Sequence, residues 1–231
     1  MAKRAWVPWA LGGLALGGVV LGVRALTKKP SPGSDGGTGP ASEPLKLAKT
    51  GDKVVLVGDS IGQGLAKPLA AMLKQLGVTL VSADGKTPLV VKGVTVKGLL
   101  PVIKAHASVL YGAHTVLVSL GSNDAAMQSP NVEVQAAEDL VKLLGSTGAQ
   151  VVWIVPPSFR LKPDDVPLPA TEKKQNQFDM ILTNGLVDNR IEPNDPVFHE
   201  LSSDSIHLTT PKGYTLFAAQ ISSELTGATG A

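Results

Sequence analysis

The 231-residue chain has room for one ordinary domain with additions. Its formal net charge of +2 is uneven: five of the 21 basic residues (Lys3, Arg4, Arg24, Lys28 and Lys29) lie in the first 29 positions with no acid, leaving 16 basic against 19 acidic residues, −3, beyond them. That balance carries no footprint for nucleic acid, and the absence of cysteine excludes a thiol nucleophile, a disulfide framework and any Cys-ligated metal.

Ala5 to Val23 is a 19-residue run without charge, bracketed by the basic residues just named. Its length suffices to cross a bilayer core, and Trp6 and Trp9 sit at one end as interfacial anchors do. Gly13/Gly17 and Gly18/Gly22 are small-xxx-small pairs that permit close helix approach. No small-x-small site precedes the basic cluster after Val23, which favours a retained anchor over a cleaved signal peptide. Residues 1–29 are therefore expected to form a single-pass membrane anchor. The anchored reading puts the rest in the extracytoplasmic space, although positive charge on both flanks does not by itself orient the span. The stretch 30–50, dominated by PSPGSDGGTGPASEP, is too poor in apolar residues to pack and reads as a flexible linker. The folded domain is assigned to 51–231.

VVLV (Val54 to Val57) reads as a buried strand, broken by Gly58, Gly62 and Gly64 before helical spacing resumes from about Gln63 to Leu76. Ser60 falls on the sharp turn between them, beside a helix N-terminus whose free N–H groups suit an oxyanion. Ser60-x-x-Gln63 also fits a capping box, so from this stretch alone Ser60 is either a helix cap or a nucleophile. Val78 to Ala83 and Pro88 to Lys92 are short extended runs around an Asp84-Gly85 turn. Leu99 to Leu110 reads as a helix, Thr115 to Leu120 as a buried strand, and Val132 to Leu144 as an amphipathic helix. Val151 to Val155 is a third core strand stopped by Pro156-Pro157. A proline-rich loop follows from Ser158 to Ala170, with Arg160 and Lys162 placed to border a site, and Thr171 is positioned to cap a helix to about Thr183. Thr210 as N-cap and Pro211 as first residue open a last helix through about Leu225. Short apolar strands alternating with helices predict an α/β domain with a mostly parallel sheet.

Two further motifs stand where such a sheet exposes residues to ligand, outside the carboxyl ends of its strands. GSND (Gly121 to Asp124) directly follows the strand TVLVSL, and DSIH (Asp204 to His207) lies just before the last helix. Asn123 and Asp124 are also common turn residues, and Asp204 and His207 have local structural readings of their own. His106, His114 and His199 carry no motif. No Walker A, G-x-G-x-x-G or H-E-x-x-H pattern is present.

With GDS at Gly58–Ser60, GSND at Gly121–Asp124 and DSIH at Asp204–His207 in this order, the chain resembles the SGNH (GDSL-like) hydrolases over roughly Lys53 to Leu225. The resemblance implies a flavodoxin-like three-layer sandwich with a parallel sheet of strand order 2-1-3-4-5. It implies ester hydrolysis without a metal or other cofactor. Ser60 is then the nucleophile, His207 the general base and Asp204 the group orienting the imidazole. Asn123 and the backbone N–H of Ser60 serve as oxyanion-hole donors. A further glycine donor is assigned to Gly93, with Gly98 the alternative. The chemistry needs these types: a serine hydroxyl requires a base within hydrogen-bond reach, and imidazole, with an ordinary pKa of about 6.5, both takes the proton and returns it.

The expected function is therefore a membrane-tethered serine esterase removing a small acyl group, foremost acetyl, from a carbohydrate or cell-envelope polymer. Two alternatives use the same fold. A catalytically idle glycan- or envelope-binding module would show no esterase rate, and an acyltransferase would differ in its products.

Overall fold

In a computed structural model, the structure describes residues 45–81, 89–124, 130–157, 189–204 and 206–228, with the backbone alone described at 130–133 and 198. The apolar run Ala5–Val23, the tether up to residue 44, the Asp84-Gly85 turn, the loop from Ser158 and the helix expected from Thr171 lie outside them. No helix among the described residues is long and apolar enough to cross a membrane.

The first strand, β1 (Lys53–Gly58), is enclosed along its whole apolar run. It leads through Asp59 into α1 (Ser60–Gln75). The helix starts three residues before the expected Gln63, and the cap is not Ser60. Asp59 takes that position, its side chain accepting the Ile61 N–H at 2.9 Å. A carboxylate one residue earlier meets the free N–H groups of the first turn, which leaves the serine hydroxyl unused by the helix. The helix stops at Leu76, and Gly77 continues at φ +75°, a left-handed conformation that glycine adopts without penalty.

In the described part of the next extended run, Val78 to Val81, Thr79–Leu80 forms a strand, β2. The chain returns to the same edge farther along, where the Gly58 N–H donates to Leu89 O at 3.0 Å and the Val91 N–H to Gly58 O at 2.9 Å. Helix α2 (Val96–Ala105) begins three residues earlier than expected, because Thr95 caps it by accepting the Gly98 N–H. A short 3-10 turn (Ala107–Leu110) completes the span expected to be one helix. Then come β3 (Thr115–Ser119), α3 (Pro130–Gly145) and β4 (Gln150–Ile154). Two elements follow that the sequence pattern did not announce, β5 (Asn189–Ile191) and the short α4 (Asp195–Phe198). The last helix, α5, spans Lys212–Thr226 and begins later than Thr210/Pro211 predicts. Pro211 stands in the cap position, and the Gly213 N–H goes to the carbonyl of Thr209 at 2.9 Å, with Thr209 Oγ1 at 3.3 Å.

The five strands pair in the order β2-β1-β3-β4-β5, all parallel, as expected. Alternate strand residues point to opposite faces, so the sheet has two cores. Val55, Val57, Val116, Val118 and Trp153 pack with α2 and α3 on one side. Val54, Leu56, Leu117, Val152 and Ile154 pack with α1 and α5 on the other. The packed chain reaches back into the span assigned as linker: Ala48 is buried, and its N–H donates to Leu225 O at 2.7 Å.

Candidate active site

Register decides where the motif residues emerge. Gly58 ends β1 directly beside Ser119 at the end of β3, so Ser60 and Asn123 leave the same end of two adjacent central strands. The strands come close there: a Cβ on Gly58 would lie 2.6 Å from Ser119 O. Side-chain-free backbone is required at that point.

His207 arrives from a different element. Leu201 and Leu208 form an antiparallel bridge, and the Ser202 N–H donates to His207 O at 2.7 Å. Within this turn Asp204 Oδ1 accepts from Ser202 Oγ at 2.6 Å and from the N–H groups of Ile206 and His207 at 2.9 Å each. Its second oxygen, Oδ2, lies 2.7 Å from His207 Nδ1. The other ring nitrogen, Nε2, lies 2.8 Å from Ser60 Oγ. The three residues thus form a continuous line of hydrogen bonds across a sequence separation of 147 residues between Ser60 and His207. Partial burial alone would raise the Asp204 pKa. The hydrogen bonds from Ser202, His207 and Ile206 outweigh it and hold the carboxyl well below the usual carboxylate range. An ionised carboxylate at Nδ1 leaves Nε2 as the acceptor facing Ser60.

Asn123 makes contacts that join the other expected positions. Its Nδ2 donates to Val94 O at 3.0 Å, next to Gly93, and to Asp59 Oδ2 at 3.2 Å, next to Ser60. Both hydrogens of the amide are therefore engaged. Gly93 sits in an exposed turn at φ +72°. The alternative, Gly98, lies inside α2 with its N–H taken by Thr95 Oγ1 at 3.2 Å, so it has no donor to offer. Asp124, the other motif residue of that turn, is buried and accepts the Val96 N–H at 2.9 Å, fastening the start of α2 to the loop after β3.

Asp59 was not singled out by sequence reasoning, although it stands inside the GDS motif. It has no exposed surface, and burial, only partly offset by N–H donors from Ile61 and Gly62 and by His207, pushes its pKa up to about 6. An Asx residue immediately before a helix, between a buried strand and a serine, is the signal that would have found it. Lys92 and Tyr214 were also unforeseen. They line a pocket of about 360 Å³ together with Ser60, Gln63, His207 and Leu208. Burial raises the Tyr214 pKa, against the opposing effect of a hydrogen bond with the Leu208 backbone. His106 and His114 serve local contacts, to Val102 O and Thr115 Oγ1 at 2.9 Å each, and His199 closes α4. None of the three lines the pocket. Among the described residues no cluster of three or more His, Asp or Glu is arranged to hold a metal ion.

The fold has counterparts among solved structures. An α/β hydrolase enzyme from the metagenome of Lake Arreo, Spain, superposes at a TM-score of 0.58, covering 77% of this chain and 96% of that one at 17% identity. A GDSL-like lipase from Bacteroides thetaiotaomicron gives 0.56, with 75% and 87% covered at 17% identity. An acetylxylan esterase from Geobacillus stearothermophilus gives 0.54, with 77% and 95% covered at 16% identity. The chain has the fold of these proteins. By sequence alone, no family model and no curated relative matches it.

Proposed function

We propose that the protein is a serine esterase that removes a small acyl group, acetyl foremost, from an acylated carbohydrate. The observation that carries the reading is the hydrogen-bonded line from Ser60 through His207 to Asp204. It opens on a pocket at the carboxyl end of a parallel sheet. The shared fold adds support, and the acetylxylan esterase among its counterparts favours an acetylated sugar.

In this mechanism Ser60 Oγ attacks the ester carbonyl as its proton passes to His207 Nε2. Asp204 holds the ring in the tautomer that accepts there and stabilises the imidazolium. The carbonyl oxygen, now negative, is met by the Ser60 N–H at the start of α1, by Gly93 N–H and by Asn123. Asn123 reaches it with the hydrogen now directed at Asp59, the longer of its two bonds at 3.2 Å, while Val94 O keeps the other. The alcohol leaves with the proton from Nε2, and water repeats the sequence on the acyl-enzyme. The run Ala5–Val23 tethers this domain to a membrane on its extracytoplasmic side, which suits a cell-envelope polymer as substrate.

Labelling by a fluorophosphonate tests the reading directly. Wild-type protein should be labelled at Ser60 and hydrolyse p-nitrophenyl acetate. A Ser60→Ala variant should do neither. A well-folded wild type that neither labels nor hydrolyses would leave the binding-module alternative in its place.

A further inference from the structure

Three residues of the catalytic pocket wall, Gly64, Thr210 and Tyr214, also line a second depression of about 430 Å³ between α1 and the start of α5. Pro68, Ala71 and Pro211 give it apolar walls, and Lys67 stands at its margin. Two features of α1 shape the wall of this depression. Gly64 must lack a side chain, because a Cβ there would lie 2.2 Å from the Tyr214 ring. Pro68, four residues on and well inside the helix, has no N–H, so the Gly64 carbonyl loses its usual helical donor. The helix thus carries two poor helix formers on the face that meets the depression.

Chemistry assigns a side to this depression. When Ser60 Oγ bonds to the acyl carbon and the old C–O bond breaks, the departing oxygen must collect its proton from His207 Nε2. The alcohol half of the ester therefore lies on the His207 side. Of the residues expected to hold the oxyanion, Ser60 lines the first depression, and Gly93 and Asn123 line neither. His207 lines the first, and Thr210, three residues later, lines both. Charge narrows the occupant: the described residues lining the two depressions include Lys67 and Lys92, both exposed, and no carboxylate.

We propose that this groove is the subsite for the alcohol half of the ester, and that this half is an anionic sugar unit lying with an apolar face on Pro68, Pro211 and Tyr214. Its negative group sits toward Lys67. The proposal rests on the esterase reading and adds a substrate class to it.

The test uses the full-length protein in detergent and a matched pair of probes differing only at C6, methyl 3-O-acetyl-β-D-glucuronoside and methyl 3-O-acetyl-β-D-glucoside, with p-nitrophenyl acetate as reference. At low salt, kcat/KM for the glucuronoside should exceed that for the glucoside by about three- to fivefold, the worth of an exposed ion pair, and added salt should shrink the ratio. Lys67→Gln should bring the ratio to about one. Ala71→Trp, at an exposed helix position, should fill the groove and lower the ratio of glucuronoside to p-nitrophenyl acetate turnover by roughly tenfold, through lost apolar contact. Each readout is a ratio on one preparation, so partial misfolding of a variant cancels. Turnover of p-nitrophenyl acetate with no preference between the sugars, or ratios that neither variant moves, would overturn the groove assignment alone. No turnover of any ester by the wild type would overturn the esterase reading and this inference with it.

Discussion

Asp59 offers the most quantitative test of this site. Its carboxyl has no exposed surface, and its pKa is raised from an ordinary 3.8 to about 6, chiefly by burial. The sign follows from linkage. Between those two values the folded protein binds the proton and the unfolded chain does not, so stability falls as pH rises through this window and is level again above about 6. Two pKa units correspond to about 3 kcal/mol, a sizeable part of a domain's usual margin. An Asp59→Asn variant keeps an oxygen for the Ile61 N–H and has no charge to bury. Its stability relative to wild type should therefore rise by about 3 kcal/mol between pH 3.5 and pH 7. Asp204 pulls the other way, since its lowered pKa gives stability that is lost as pH falls below 3.8, but it is common to both proteins and drops out of the difference. Urea unfolding followed by tryptophan fluorescence at half-unit pH steps measures the difference, Trp153 being fully buried with Nε1 bonded to Leu120 O at 3.0 Å. The same substitution turns an amide NH2 toward Asn123 Nδ2 and should lower kcat more than it changes KM. Stability curves that run parallel across the window would refute the buried-charge account of Asp59.

Four other outcomes are expected. Ser60→Ala should reduce kcat on p-nitrophenyl acetate to below about a hundredth while leaving the thermal transition in place, since a triad member contributes far more than this to rate. Asn123→Ala should lower kcat by about 100- to 1000-fold with KM comparatively unchanged, and a rise in KM alone would make it a binding residue instead. Gly64→Ala should cost about 1–3 kcal/mol in denaturant unfolding, because its Cβ meets the Tyr214 ring at 2.2 Å. Deleting residues 1–44 should turn a detergent-requiring protein into a soluble one with similar kcat/KM on a small ester, read by ultracentrifugation and assay, and an aggregating product would show that the apolar run packs on the domain.

The core strands were legible because each is an unbroken apolar run enclosed on both faces, which leaves little choice of structure. β5 was not, because an edge strand of three residues, Asn189 to Ile191, needs only one buried side chain and carries Arg190 exposed. Helix starts shifted for a single physical reason. Capping depends on which nearby oxygen reaches the free N–H groups, and at α1, α2 and α5 the winners were Asp59, Thr95 with Asp124, and Thr209. None of these contacts is encoded in apolar spacing, and the Asp124 contact spans 28 residues.

The site divides along the same line. Ser60, Asn123, Asp204 and His207 were nameable because each sits in a short motif at a predictable strand end or before a helix. What joins them was hidden in side chains serving two purposes at once. Asp59 illustrates the economy of the arrangement: one oxygen starts the helix that carries Ser60, and the other holds Asn123, which in turn holds the turn containing Gly93 through Val94 O. A fully exposed carboxylate could cap the helix equally well, but water would compete for Asn123. Burial removes that competition and is also what raises the Asp59 pKa. The cost in stability and the fixing of Asn123 beside Ser60 are therefore two consequences of one desolvated carboxylate. A variant that relieves the first should weaken the second.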